Sequence, residues 1–190
     1  HMLFAPSVRE ELAFGPRNLG RDPAATAAAT TRALELTGLD GQLERAPLSL
    51  SFGQQKRLGI AAVLAMQSRI LILDEPTAGQ DYASATRFMD EVAALDHFDA
   101  LLFVTHDLDL ALTYANRILL FHQGQLAADG PPEQVLADTA LLRRCHVLPT
   151  SLLDLNLQLL PQTGRLLGLR QLAAHLQGEP ASAAVAAPSR

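Results

Sequence analysis

The chain has 190 residues, 48% of them hydrophobic, and a formal net charge of -5. That is enough apolar material for a real core, organised as one domain or one domain with an appendage. The acidic balance and the lack of any Lys or Arg run argue against a nucleic-acid binder, which would need a basic patch to neutralise phosphates.

Cys145 is the single cysteine, so no internal disulfide forms and a reducing, intracellular location is expected. No apolar run approaches the roughly 18 residues of a membrane-spanning helix, and no signal peptide opens the chain. Any membrane association is therefore expected to run through a partner. His1-Met2 reads as a cloning remnant and stays outside the fold.

In chain order, Ser7-Val8-Arg9-Glu10 is a capping box that opens a short helix to Phe14, with Gly15-Pro16 as its expected stop. A second helix is expected from Pro23 to Thr37, ended by Gly38. Leu50-Ser51-Phe52-Gly53-Gln54 repeats the capping-box spacing, and an apolar, alanine-rich helix follows to Met66. Ile70-Leu71-Ile72-Leu73 reads as a strand of a parallel sheet buried on both faces, and it delivers Asp74 and Glu75 to its C-terminal edge, where open α/β sheets place ligands. From there strands and helices alternate: a helix from Tyr82 to Leu95, a strand from Leu101 to Val104, a helix from Leu108 to Ala115. A hairpin pair, Ile118–Phe121 and Gln125–Ala128, turns at Gln123-Gly124, and Pro132 opens a helix through Ala137. After Cys145, Ser151 with Asp154 caps a helix to about Leu160, Pro161–Gly164 is a turn, and Leu166–Leu176 suggests another helix. The Ala-, Ser- and Pro-rich stretch 178–190 is expected to be disordered.

Three places in this pattern carry chemistry. A carboxylate such as Asp74 at the end of a buried strand is costly without a cation or donors, although an isolated Asp-Glu pair more often only caps a turn before Pro76. His106 follows its strand directly and projects at the same edge as Glu75; a lone histidine there is usually structural. Ser51, Gly53 and Gln54 stand at a helix N-terminus, where free N–H groups and the helix dipole favour an anion and Gly53 lets a phosphate approach closely. The sequence contains no Gly-x-x-x-x-Gly-Lys-Ser/Thr loop, so the usual cradle for nucleotide phosphates is missing. His97, His122, His146 and His175 fall on no metal-ligand spacing.

Taken together, Leu50–Gln54, Ile70–Glu75, Thr77–Asp81 and Thr105-His106-Asp107 resemble, in order and spacing, the signature motif, Walker B strand, D-loop and switch histidine of ABC-type ATPases. The implied fold class is α/β: a truncated P-loop NTPase core of the RecA-like, ABC ATPase kind, lacking its N-terminal strands and Walker A loop, with an N-terminal helical subdomain and a helical C-terminal extension. On this reading residues 3–66 are the helical subdomain, 67–138 the partial RecA-like core, 139–177 the helical extension and 178–190 a tail. Leu3–Val8 resembles the stretch just after the family's Q-loop glutamine, which would place the first strands and the phosphate loop upstream.

The resemblance implies ATP and Mg²⁺ as cofactors. Asp74 would hold the metal through water, Glu75 would orient and deprotonate the attacking water, and His106 would contact the γ-phosphate. Ser51, Gly53, Gln54 and Asp81 would meet ATP across a head-to-tail dimer with a second ATPase domain. Integral-membrane transporter subunits are the other implied partners, nucleic acid is not one, and the place of work is the inner face of the cell membrane. Thr77-Ala78-Gly79-Gln80-Asp81-Tyr82, with Gln before the aspartate, and the extension around Leu148–Leu152 look like the ATPases of energy-coupling-factor importers for vitamins or metal ions, this chain being similar to the second of a tandem pair. The resemblance leaves two alternatives open: an ABC-type ATPase of DNA maintenance or ribosomes, or a non-catalytic interaction fragment. The chain shows neither the heptads nor the basic runs of the first. By itself it is expected to be inactive.

Overall fold

The computed structural model describes residues 3–178; apart from Gly178, the tail expected to be disordered lies outside them. The chain forms two compact units, one comprising the residues up to Leu73 with Gly79–Phe103, the other Asp74–Ala78 with the residues from Val104 onward.

The first unit opens on three helices, α1 (Val8–Asn18), α2 (Pro23–Thr37) and α3 (Phe52–Ala65). α2 follows its sequence signals throughout. Asp22 accepts from the amides of Ala24 and Ala25, both at 3.0 Å, Pro23 takes the first helical position, and Gly38 closes the helix in the left-handed region at φ 62°. Ser7 caps α1, its Oγ accepting from the Glu10 amide, which is one half of the expected capping box, and the amides of Val8 and Arg9 donate to the carbonyls of Arg45 and Leu43. The expected stop at Gly15-Pro16 is corrected, because α1 continues to Asn18 with Pro16 inside it. Pro16 forgoes one helical hydrogen bond but is fully buried, and Gly15 allows a close approach that a Cβ would block, meeting Met66 Sδ at 2.5 Å. Tertiary packing outweighs the local breaker. Leu12, Leu34, Leu58, Ala61 and Leu64 form the apolar centre among these helices, and buried Glu11 ties the preceding segment to α1 by accepting from the amides of Phe4 and Ala5 at 3.1 and 2.9 Å.

β1 (Ile70–Asp74) pairs with β2 (Ala100–Val104), and α4 (Tyr82–Ala93) lies between them in sequence. The amides of Asp99 and Ala100 donate to the Arg69 carbonyl, and the Glu75 amide donates to that of Val104, so the strands run parallel. The expectation of cover on both faces is corrected. Leu71 is 2% exposed, but Ile70 and Ile72 are 53% and 65% exposed, with Leu102 and Val104 exposed on the partner strand. Strand side chains alternate between faces, and among the described residues only one face is covered. α4 buries Phe88, Met89 and Val92.

In the second unit follow α5 (Leu108–Tyr114), the hairpin β3 (Ile118–His122) and β4 (Gln125–Gly130), α6 (Pro132–Val135), α7 (Thr139–Arg144), α8 (Ser151–Thr163) and α9 (Leu169–Leu176). β3 and β4 pair antiparallel, His122 opposite Gln125, around Gln123 and Gly124 at φ 50° and 74°, the double positive φ of a tight hairpin turn. Leu112, Leu136, Leu142, Leu153 and Leu166 make this unit's core. α7, capped by Asp138 through the Leu141 amide, falls within the helical extension expected over 139–177, although it had no bounds of its own in the sequence reading. α8 is capped by Thr150, whose hydroxyl accepts from the Leu153 amide, rather than by Ser151, and it runs through Pro161, where a turn was expected, to Thr163; Pro161 forgoes one helical hydrogen bond there. α9 starts three residues later than expected because buried Asn156 holds Leu167 extended, accepting from its amide at 2.6 Å and donating to its carbonyl at 2.9 Å.

Candidate functional site

Asp74 and Glu75 leave β1 at its carboxyl end. Asp74 is exposed, so the desolvation cost expected for it does not arise. Glu75 is pinned from three directions. Its amide donates to Val104 at 2.9 Å, its carbonyl accepts from Ala78 at 3.2 Å, and its φ is 44°, a left-handed conformation that a side-chain-bearing residue keeps only when its surroundings impose it. The carboxylate that this backbone presents meets His106, Nδ1 donating to Oε1 at 2.8 Å.

His106 owes its place to β2 and α5. The Thr105 hydroxyl accepts from the Asp107 amide at 3.0 Å, and Asp107 caps α5 by accepting from Asp109 and Leu110 at 2.9 and 3.1 Å. The hydrogen bond that His106 donates to Glu75, then the negative charge of Glu75, lifts the imidazole above its ordinary 6.5, with a smaller lift from Asp107. With Nδ1 engaged, Nε2 is the nitrogen left to reach a ligand. Because the shift is upward, the imidazolium–carboxylate pair is complete below the ordinary pKa and is lost as pH rises through the higher folded value. A proton NMR titration is expected to place His106 above 6.5, and Glu75→Gln to bring it back down; an unshifted His106 in the unaltered chain would contradict the pairing.

The donor set suits Mg²⁺ delivered with a nucleotide. Asp74 and Glu75 offer hard carboxylate oxygens, and among the described residues no three His, Cys, Asp or Glu side chains converge on a metal position. Mg²⁺ is commonly held in this way, by one or two carboxylates plus substrate phosphates.

Ser51, Gly53, Gln54 and Asp81 belong to the first unit. Ser51 and Gln54 form a complete capping box, Ser51 N donating to Gln54 Oε1 at 3.0 Å and Gln54 N to Ser51 Oγ at 3.4 Å. The Gln54 side-chain oxygen is thereby engaged with the chain itself, while the amides of Phe52 and Gly53 remain as outward donors of the first turn. Asp81 caps α4, accepting from the Ser84 amide at 3.0 Å and hydroxyl at 2.7 Å; these bonds hold its carboxyl below the ordinary value. The sequence reading missed Lys56. It is 7% exposed, lies 5.0 Å from the Phe52 ring and 5.5 Å from that of Phe88, and burial pulls its ammonium below the ordinary 10.5. The (i, i+4) spacing of Phe52 and Lys56 was the available signal.

The sequence profile of the ABC transporter family matches residues 4–78. An energy-coupling factor transporter ATP-binding protein EcfA2 of Methanospirillum hungatei is 39% identical over 158 residues, 83% of this chain and 40% of that protein. EcfA of Methanocaldococcus jannaschii is 36% identical over 146 residues, 76% of this chain and 52% of that protein. Among solved structures, cbiO1 of Clostridium perfringens, part of the ABC transporter complex cbiONQ, superposes with a TM-score of 0.65 at 26% identity, covering 93% of this chain and 63% of that one. The chain spans about half the length of the curated relatives it matches.

Proposed function

The chain belongs to the ABC transporter ATP-binding domain family, and on that premise we propose that it is the portion of an energy-coupling-factor importer's ATPase that carries the hydrolytic carboxylate. The observation that supports this most directly is the Glu75–His106 pair at the carboxyl end of two parallel strands. Asp74 would hold Mg²⁺, which when bound would neutralise charge on the phosphates. Glu75, fixed by its backbone bonds and by His106, orients the attacking water and takes its proton. His106 turns Nε2 to the γ-phosphate and reports its departure through the Glu75 contact. The Phe52 and Gly53 amides and the Ser51 hydroxyl, with Gln54 bracing the cap, meet ATP held by a second ATPase domain, and Asp81 crosses the same dimer interface.

The 190 residues contain no Gly-x-x-x-x-Gly-Lys-Ser/Thr loop, so the main phosphate grip comes from another segment, and the chain alone neither holds ATP tightly nor hydrolyses it. Among the described residues no helix is long and apolar enough to cross a membrane; coupling to transport of a vitamin or metal ion proceeds through integral-membrane subunits at the inner face of the membrane. Affinity purification of the tagged full-length protein from detergent-solubilised membranes is expected to recover an integral-membrane subunit together with a second ATPase domain. Recovery with nucleic acid or ribosomes, and no membrane subunit, would contradict the transport reading.

A further inference from the structure

We propose that Lys56 is a positioning residue for the phosphate-facing end of α3, its ammonium, within reach of both the Phe52 and the Phe88 rings, restraining Phe52 so that the first turn keeps one conformation. The inference rests on the reading that this turn meets ATP. A phosphate can approach the backbone closely only because Gly53 has no side chain, and nothing within 4 Å of its Cβ direction intrudes. Its neighbour Phe52 is the opposite: a large ring, 59% exposed, at the first helical position. An unrestrained ring beside the outward amides of Phe52 and Gly53 would sweep through the space a phosphate needs, and its freedom would be lost on binding.

Lys56 removes that freedom. One helical turn further on, it is buried, and its ammonium lies 5.0 Å from the Phe52 centroid and 5.5 Å from the centroid of Phe88, which is itself 9% exposed on α4. Phe88 is the fixed wall, Lys56 the link and Phe52 the part held. Arg57 with Glu91, 3.4 Å apart, ties α3 to α4 one residue along, so the wall and the turn move as one body. A lysine in water gains little from a ring, whereas a desolvated one gains more, and the burial of Lys56 puts it in the second class.

The test is ATPase kinetics of the full-length protein with its partner ATPase domain, comparing Lys56→Met, Lys56→Arg, Phe88→Leu and Ser51→Ala, with thermal melts alongside. Lys56→Met and Phe88→Leu are each expected to lower kcat/KM on the order of tenfold, while Lys56→Arg, which keeps charge and ring contact, restores most of it. Amide exchange at Gln54 and Gln55, whose N–H groups close the first turn on Ser51, is expected to quicken in Lys56→Met and Phe88→Leu but not in Lys56→Arg. Wild-type kcat/KM in Lys56→Met and Phe88→Leu, with Ser51→Ala impaired, would overturn the role of Lys56 and leave the ATP-facing reading standing. Should Ser51→Ala also be unaffected, the ATP-facing reading itself falls, and this inference with it. Should Lys56→Met fail to fold, Phe88→Leu decides in the same way.

Discussion

Glu75→Gln in the full-length protein is expected to leave ATP binding intact and to lower turnover by roughly 100- to 1,000-fold, the range that a positioned general base contributes. The substitution keeps the size and one oxygen of the side chain, so the strand end and the backbone bonds to Val104 and Ala78 survive. What disappears is the carboxylate's capacity to take a proton and its charge toward His106, 2.8 Å away. The two losses separate experimentally: Glu75→Gln removes both, whereas His106→Gln removes the partner and leaves the base. Binding is measured with a fluorescent ATP analogue and turnover by phosphate release. A variant that loses binding and turnover together would show that Glu75 holds nucleotide, and unchanged turnover would remove it from the mechanism.

A larger effect on stability than on chemistry is expected from Asn156→Leu. Asn156 is 1% exposed and spends its amide on three backbone groups, donating to the carbonyls of Leu152 and Leu167 at 3.0 and 2.9 Å and accepting from the Leu167 amide at 2.6 Å. Leucine keeps the branched outline of the side chain, although its methyl groups are bulkier than the amide and add some overpacking. The amide and carbonyl of buried Leu167 lose their partners, and an orphaned buried group costs about 1–3 kcal/mol. The sum is about 3 kcal/mol, which lowers Tm by roughly 6–12 °C in a chain of this size. A melt displaced by only a degree or two would mean that α8 and α9 rearrange to satisfy those groups elsewhere.

The sequence was legible wherever a local signal has a local cause. α2 could be read end to end because Asp22, Pro23 and Gly38 act within a few residues of themselves, and the hairpin turn because Gly124 takes positive φ freely between two apolar runs. The strand carrying Asp74 and Glu75 and the following Thr105-His106-Asp107 were placed by spacing, and the pairing of Glu75 with His106 follows from two strand ends lying side by side. Most of the misreadings involve distant partners, the cap of α8 at Thr150 rather than Ser151 being a local one. Gly15-Pro16 and Pro161 read as stops because proline is a local breaker, yet burial of Pro16 and the fit of Gly15 on Met66 are decided by residues far along the chain. The cover expected on both faces of β1 depends on neighbours that four apolar residues cannot specify, and here Ile70 and Ile72 face outward. Asn156 carried no signal, since an asparagine in a leucine-rich helix reads as a surface residue until the chain returns at Leu167.

On the proposed function, this chain holds the hydrolytic carboxylate and the phosphate-facing helix end while the phosphate grip is supplied by another segment. The most direct measurement of that division is ATP affinity by calorimetry, for the 190 residues alone and for the same chain joined to a phosphate-loop region, with circular dichroism confirming that both are folded. No measurable binding is expected for the chain alone, and micromolar or tighter binding once the loop is present. Tight ATP binding by the 190 residues alone would contradict the division, and the roles of Ser51, Asp74 and His106 would have to be assigned anew.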